Sequence, residues 1–125
     1  PWYESHWDRR LIRQFTPDDY DQCYLRVAEL LETDTTARGM FGSSWWFDPA
    51  LDNISPEFGF LRQVPLENGA RLFRVGVTEF ATRSAISLSA RRRQLYETGT
   101  YVPTNYLLAW TRRDLLAWAD RYRSQ

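Results

Sequence analysis

Apolar residues fall at helical spacing along Tyr20, Cys23, Tyr24, Val27, Leu30 and Leu31, which predicts an amphipathic helix. Its start is marked by Thr16 as N-cap, Pro17 at the first helical position, and Asp18 and Asp19 in the first turn, where the helix dipole favours negative charge. Phe15 and Tyr20 have the spacing of a hydrophobic staple. Asp21, Arg26, Glu29 and Glu32 lie largely off the stripe, and the helix is expected to fade over 33–36. Leu115, Leu116, Trp118, Ala119 and Tyr122 make a second stripe, with Thr111 as cap and Asp114 at the capping-box position. Between these, Thr78 is placed to cap a helix running through Ala81, Ala85, Ile86 and Leu88. Ser89 is placed to cap a further piece that stops at Gly99. Strand-like runs are RLIRQF (10–15), GMFGSSWWF (39–47), ARLFRVGV (70–77) and YLLAW (106–110). The run at 70–77 alternates Arg71, Phe73 and Val75 against Leu72 and Arg74. Residues 1–8 show no helical period, 48–65 read as irregular with short helical turns (Ser55 capping one of them), and 65–69 read as a turn. Asp48 before Pro49 is expected to end the aromatic strand.

The order is strand, helix, strand, strand, helix, strand, helix. It predicts an α+β domain: a small mixed sheet of three or four strands covered by three or four helices. The first six elements have the order of a ferredoxin-like split βαβ unit, and the same order fits a shortened acyltransferase-like fold.

A length of 125 residues suits one domain. The chain begins at Pro1 and its sole Met is Met40, so it is expected to be processed, or the C-terminal part of a longer protein. Aromatics are 16% of the chain, with six Trp, so the core is expected to be built around rings. The formal net charge is zero, which argues against a general nucleic-acid binder. No apolar run approaches the length of a membrane span. With no signal peptide visible, a cytoplasmic setting is expected. One Cys excludes an internal disulfide, and one His excludes a metal site that needs two. All sixteen basic residues are Arg, which removes Schiff-base and lysine-base chemistry. Coding bias accounts for this, or a use of guanidinium forks for carboxylates and phosphates. Residues 1–60 hold five Arg against eleven acids, a net −6; residues 61–125 hold eleven Arg against five acids, a net +6. The halves are expected to attract each other within the fold or across a dimer.

Few residues carry chemistry. His6 and Asp8 are two apart, so an extended backbone puts them on one face as a candidate general base; the plainer reading is a surface pair on a loose arm. Cys23 sits on the apolar stripe, as a buried hydrophobe does, with Asp19 and Asp21 beside it, the opposite of what a nucleophilic thiolate wants. Ser43 and Ser44 lack a nucleophile-elbow pattern. Trp45 and Trp46 are expected to face opposite sides of a strand, as core rings or as the wall of a ligand pocket or interface. Asp48 then supplies a pocket's charge or caps the next turn. Arg91, Arg92 and Arg93 near a capped helix start offer an anion site, or a solvated helix face; three consecutive residues cannot all aim at one ligand. Arg92, Tyr96, Tyr101 and Asn105 complete the best pocket material. Arg112 and Arg113 open the last helix, where cations oppose the dipole; pairing with the acidic half or an anion would explain them.

The stretches GSSWWFDPALDNISPEFGFLRQVP, GARLFRVG, SARRRQLYETGTYVPTNYLLAW and DLLAWA together resemble a family of uncharacterised bacterial proteins. That resemblance implies kinship and no particular chemistry. LIRQFTPDDYDQCYLRVAEL is similar, more weakly, to the first strand and helix of GNAT N-acyltransferases, and RRRQLYETGTYVPTNYLLAW to a late segment of theirs. The glycine-rich acyl-CoA loop of that family is absent, since TEFATRS follows Val77. The expected function is a binding or interaction domain. Its aromatic- and Arg-rich surface would meet a protein partner, a second copy or an anionic small molecule, with no cofactor, nucleic acid or membrane. The alternative is a small acyltransferase-like enzyme acting on an anionic substrate, with Arg91–Arg93 holding the anion. A metal-dependent oxygenase fragment built on His6 and Asp8 is a third reading.

Overall fold

The computed structural model describes residues 1–5 and 16–125. His6, Asp8, the strand expected over 10–15 and the staple residue Phe15 lie outside the described residues. A two-residue strand β1 (Tyr3–Glu4) precedes the helix α1 (Pro17–Thr33). β2 (Gly39–Ser44) follows, then three short 3-10 turns and α2 (Phe60–Glu67). β3 (Arg71–Gly76), α3 (Glu79–Ser87), α4 (Ala90–Glu97), β4 (Asn105–Thr111) and α5 (Arg112–Arg123) complete the chain. The sheet order is β1-β2-β4-β3, with β1 parallel to β2 and the other pairings antiparallel. This is the α+β class the residue pattern predicted. No helix among the described residues is long and apolar enough to cross a membrane.

The starts of α1, α3, α4 and α5 are made by the predicted caps, whereas Ser55, expected to cap a turn, makes no capping hydrogen bond and its Oγ accepts from Arg92 instead. Thr16 Oγ1 accepts from the Asp19 amide and Asp19 Oδ2 accepts from the Thr16 amide, a reciprocal capping box. Thr78, Ser89 and Thr111 accept from the amides of Ala81, Arg92 and Asp114. Tyr20, Tyr24, Ala28 and Leu31 are the buried positions of α1, whereas Leu30 is half exposed and Cys23 only partly buried. The helix is therefore rolled slightly from the stripe drawn on sequence, so that Ala28 faces the core.

Two features differ from expectation. The strand at 39–47 stops at Ser44; Trp45–Phe47 form a 3-10 turn whose start is capped by Ser44 Oγ accepting from the Trp46 amide. Trp45, Trp46 and Phe47 are consequently all buried and do not alternate between sheet faces. The segment expected to be a turn at 65–69 begins inside α2, which runs through Pro65 to Glu67. A proline has no N–H for the carbonyl four residues earlier, and here that carbonyl, Leu61 O, accepts instead from the Tyr24 hydroxyl at 3.0 Å.

One sheet face carries Met40, Leu108 and Trp110, all buried. Rings from α1 and α5 close over it: Tyr24 meets Trp110 edge-on at 5.3 Å and Trp118 at 6.2 Å, and Trp110 lies 5.4 Å from Trp118. Such edge contacts align ring hydrogens with π faces.

Arg112 explains its own position. Its guanidinium donates to the carbonyls of Leu31, Asp34 and Ala37, closing the C-terminal end of α1, where unpaired carbonyls and the dipole both call for a cation. With Arg123 on Glu32 at 2.7 Å and Arg62 on Asp52, this is how the basic half of the chain meets the acidic half within one fold.

Candidate functional site

The predicted site residues separate into a buried set and an exposed set. The 3-10 turn brings Trp45 6.1 Å from Trp46 and 5.5 Å from Phe58. Arg92, on the inward side of α4, lays its guanidinium 4.8 Å from the Trp45 ring centre and 5.4 Å from that of Phe58, a cation–π arrangement. Its Nε donates to Ala85 O at 2.5 Å and its Nη1 to Ser55 Oγ at 2.9 Å. Trp45 Nε1 donates to Ser84 Oγ at 3.0 Å. Arg92 therefore ties α4 to α3 and to the turn before α2.

Asp48 caps the second 3-10 turn by accepting from the Ala50 amide at 2.9 Å. It is buried, and desolvation pushes its carboxyl above the ordinary carboxylate value, against the hydrogen bond from Ala50 and the fields of Arg62 and Arg74. Tyr101 is buried within electrostatic range of both Asp48 and Arg92, and burial raises its hydroxyl. Tyr101 Oη and Trp46 Nε1 find no hydrogen-bond partner among the described residues. Trp45, Trp46, Asp48, Arg92 and Tyr101 thus share one aromatic, polar interior.

Arg91, Arg93 and Tyr96 do not join them. They are exposed on α4, with Tyr96 at 39% exposure. An anion approaching the start of α4 would meet Arg91 and Arg93, while Arg92 faces the core. Asn105 reaches Thr78 Oγ1 at 3.3 Å. Ser43 is exposed on β2. Cys23 has its thiol pushed up by burial, as suits an inert side chain. No group of three or more His, Cys, Asp or Glu able to hold a metal ion occurs among the described residues.

Two places were not singled out on sequence. The first is an open cleft of about 270 Å³ lined by Asp52, Gly59, Arg62, Gln63, Leu66 and Glu67. Arg62 pairs with Asp52 while its buried Nη1 has no hydrogen-bond partner among the described residues, and Gln63 Nε2 donates to Glu67. The second is the β3 edge. β3 is an outermost strand of the described sheet, and Phe73, Val75 and Val77 are each half exposed or more. Phe80, on the first turn of α3, is 72% exposed. Arg71 and Arg74 are exposed on the same strand and have no ion-pair partner among the described residues; Arg74 lies within electrostatic range of Asp48. The alternation at 70–77 predicted the strand. It carried no sign of which side of the strand would lack a neighbour, because that depends on β4 entering the sheet between β2 and β3.

No protein-family model, curated protein or solved structure matches this chain.

Proposed function

We infer that this chain is an interaction domain, and that the β3 edge with the helix start beyond it is its binding surface. The observation that carries this reading is Phe73 and Val75 on an outermost strand of the described sheet, continued by Val77 and Phe80 just beyond its end, all apolar and solvent-facing. Exposed apolar residues placed singly are ordinary; a run along an unpaired strand edge is a template for another chain. Arg71 and Arg74 supply the guanidinium element of the same surface. The buried set around Arg92 fixes α3, which carries Phe80, to α4.

Peptide display tests this. A random dodecapeptide library panned on the protein should enrich a sequence pattern that disappears on the Phe73→Asp/Phe80→Asp variant, with the variant's circular dichroism unchanged. Enrichment that is identical on both proteins, or absent from both, refutes the reading.

A further inference from the structure

We propose that the β3 edge takes an extended protein segment of the pattern acid–apolar–apolar–acid, added as a further strand beside Arg71-Leu72-Phe73-Arg74; this deepens the interaction-domain reading above and rests on it. As an outermost strand of the described sheet, β3 presents main-chain donors and acceptors that a second strand satisfies. The side chains then set the choice of occupant. Arg71 and Phe73 share one sheet face, opposite Ala109 and Leu107, while Leu72 and Arg74 share the other, opposite Leu108 and Tyr106. A neighbouring strand meets each of these side chains with one of its own on the same face. The four positions read Arg, apolar, apolar, Arg in both directions. A segment with carboxylates at its ends and apolar residues between therefore matches them whether it runs parallel or antiparallel. The match stops at Gly76, where φ is +145° and the register with β4 shifts between Arg74 and Gly76. That irregularity limits the regular edge to the four residues named.

A second copy of the same strand fits poorly. Arg71–Val77 contains no acid, so pairing β3 with β3 of another copy doubles the guanidinium groups in one ribbon with nothing to neutralise them. Like charges across strands are destabilising, and edge cations serve in general to discourage self-pairing. The same two arginines that resist a second copy favour an acidic partner.

The probe is the acetylated, amidated peptide Thr-Glu-Val-Ile-Glu-Thr, titrated into the ¹⁵N-labelled protein. Its comparators are Thr-Lys-Val-Ile-Lys-Thr and the reordered Thr-Val-Glu-Glu-Ile-Thr. Amide shifts should map to β3 and weaken as salt is raised. The lysine peptide should bind roughly tenfold more weakly, the scale set by two cross-strand charge pairs, and the reordered peptide should also lose affinity. Arg71→Glu/Arg74→Glu should invert the preference between the glutamate and lysine peptides, and Arg71→Gln/Arg74→Gln should abolish it. Equal binding of the glutamate and lysine peptides, shifts confined to other elements, or no shifts at millimolar peptide would overturn the proposal. If the display experiment enriches peptides that need Phe73 and Phe80 but lack this pattern, the interaction domain stands and this choice of partner falls.

Discussion

Single side chains carry disproportionate weight where they complete another residue's hydrogen bonding. Tyr24 is the clearest instance, since its hydroxyl stands in for the amide that Pro65 lacks. Tyr24→Phe keeps the ring packing and leaves Leu61 O without that donor, so a loss of about 1–2 kcal/mol is expected in urea unfolding. Arg92→Leu strands both Ser55 Oγ and Ala85 O in the interior and should cost about 2–4 kcal/mol in the same measurement. Asp48 works the other way. Its folded value is raised above the unfolded one by burial, so the native state holds the proton more tightly, and stability falls as pH rises from the ordinary carboxylate value through the raised one. Asp48→Asn keeps a capping oxygen for Ala50 and removes that penalty. The variant should be the more stable at neutral pH, with the difference shrinking as pH falls below the ordinary carboxylate value; urea midpoints across pH read it directly. The capping of the next turn by Asp48 was one of the two roles expected for it; its burial, and the roles of Tyr24 and Arg92, were not legible from residue type alone. The sequence marked Arg92 and Asp48 as polar residues near aromatic ones, but whether a guanidinium points in or out depends on the roll of α4.

The elements themselves were legible to the extent that their ends were written locally. Thr16, Thr78, Ser89 and Thr111 each cap the helix they were expected to cap, because a cap is a contact between residues two or three apart. The aromatic run failed for the converse reason. Trp and Phe favour strands on pleated surfaces, yet three consecutive rings on an alternating backbone must place two on one side and one on the other. The 3-10 turn after Ser44 instead sends all of them inward. α2 was hidden by Pro65, whose helix-breaking tendency is offset by a residue far away in sequence. At this scale Arg112 is the joint between α1 and α5. Arg112→Lys retains the charge but not a planar fork reaching several carbonyls. It should behave nearly as badly as Arg112→Ala, both losing about 1–3 kcal/mol by chemical denaturation; full rescue by lysine would show that the dipole alone matters.

For the whole molecule, three arginines of the second half, Arg62, Arg112 and Arg123, cap or pair with elements of the first. Among the described residues, β3 lies at one end of the sheet with its apolar and arginine side chains solvent-facing. Residues there are solvent-facing, so Val75→Thr/Phe80→Ser should shift the unfolding midpoint by no more than about 0.5 kcal/mol while lowering light scattering in concentrated solution. A large loss of stability would mean that the patch is part of the core. The fold class was readable because alternation and helical periodicity survive without tertiary information. The site was not, since exposure of an edge is decided by strand order.

Strand order has one more implication, for synthesis on the ribosome. β4 is both the last strand to be made and the one that joins β2 to β3. Until residues 105–111 emerge, the nascent polypeptide has no sheet in which β2 and β3 can be held together, and α1 still lacks the arginine that closes its end. β2 and β3 therefore wait unjoined, both flanks of β3 open to chaperones, until β4 supplies the strand between them and Arg112 the closure of α1.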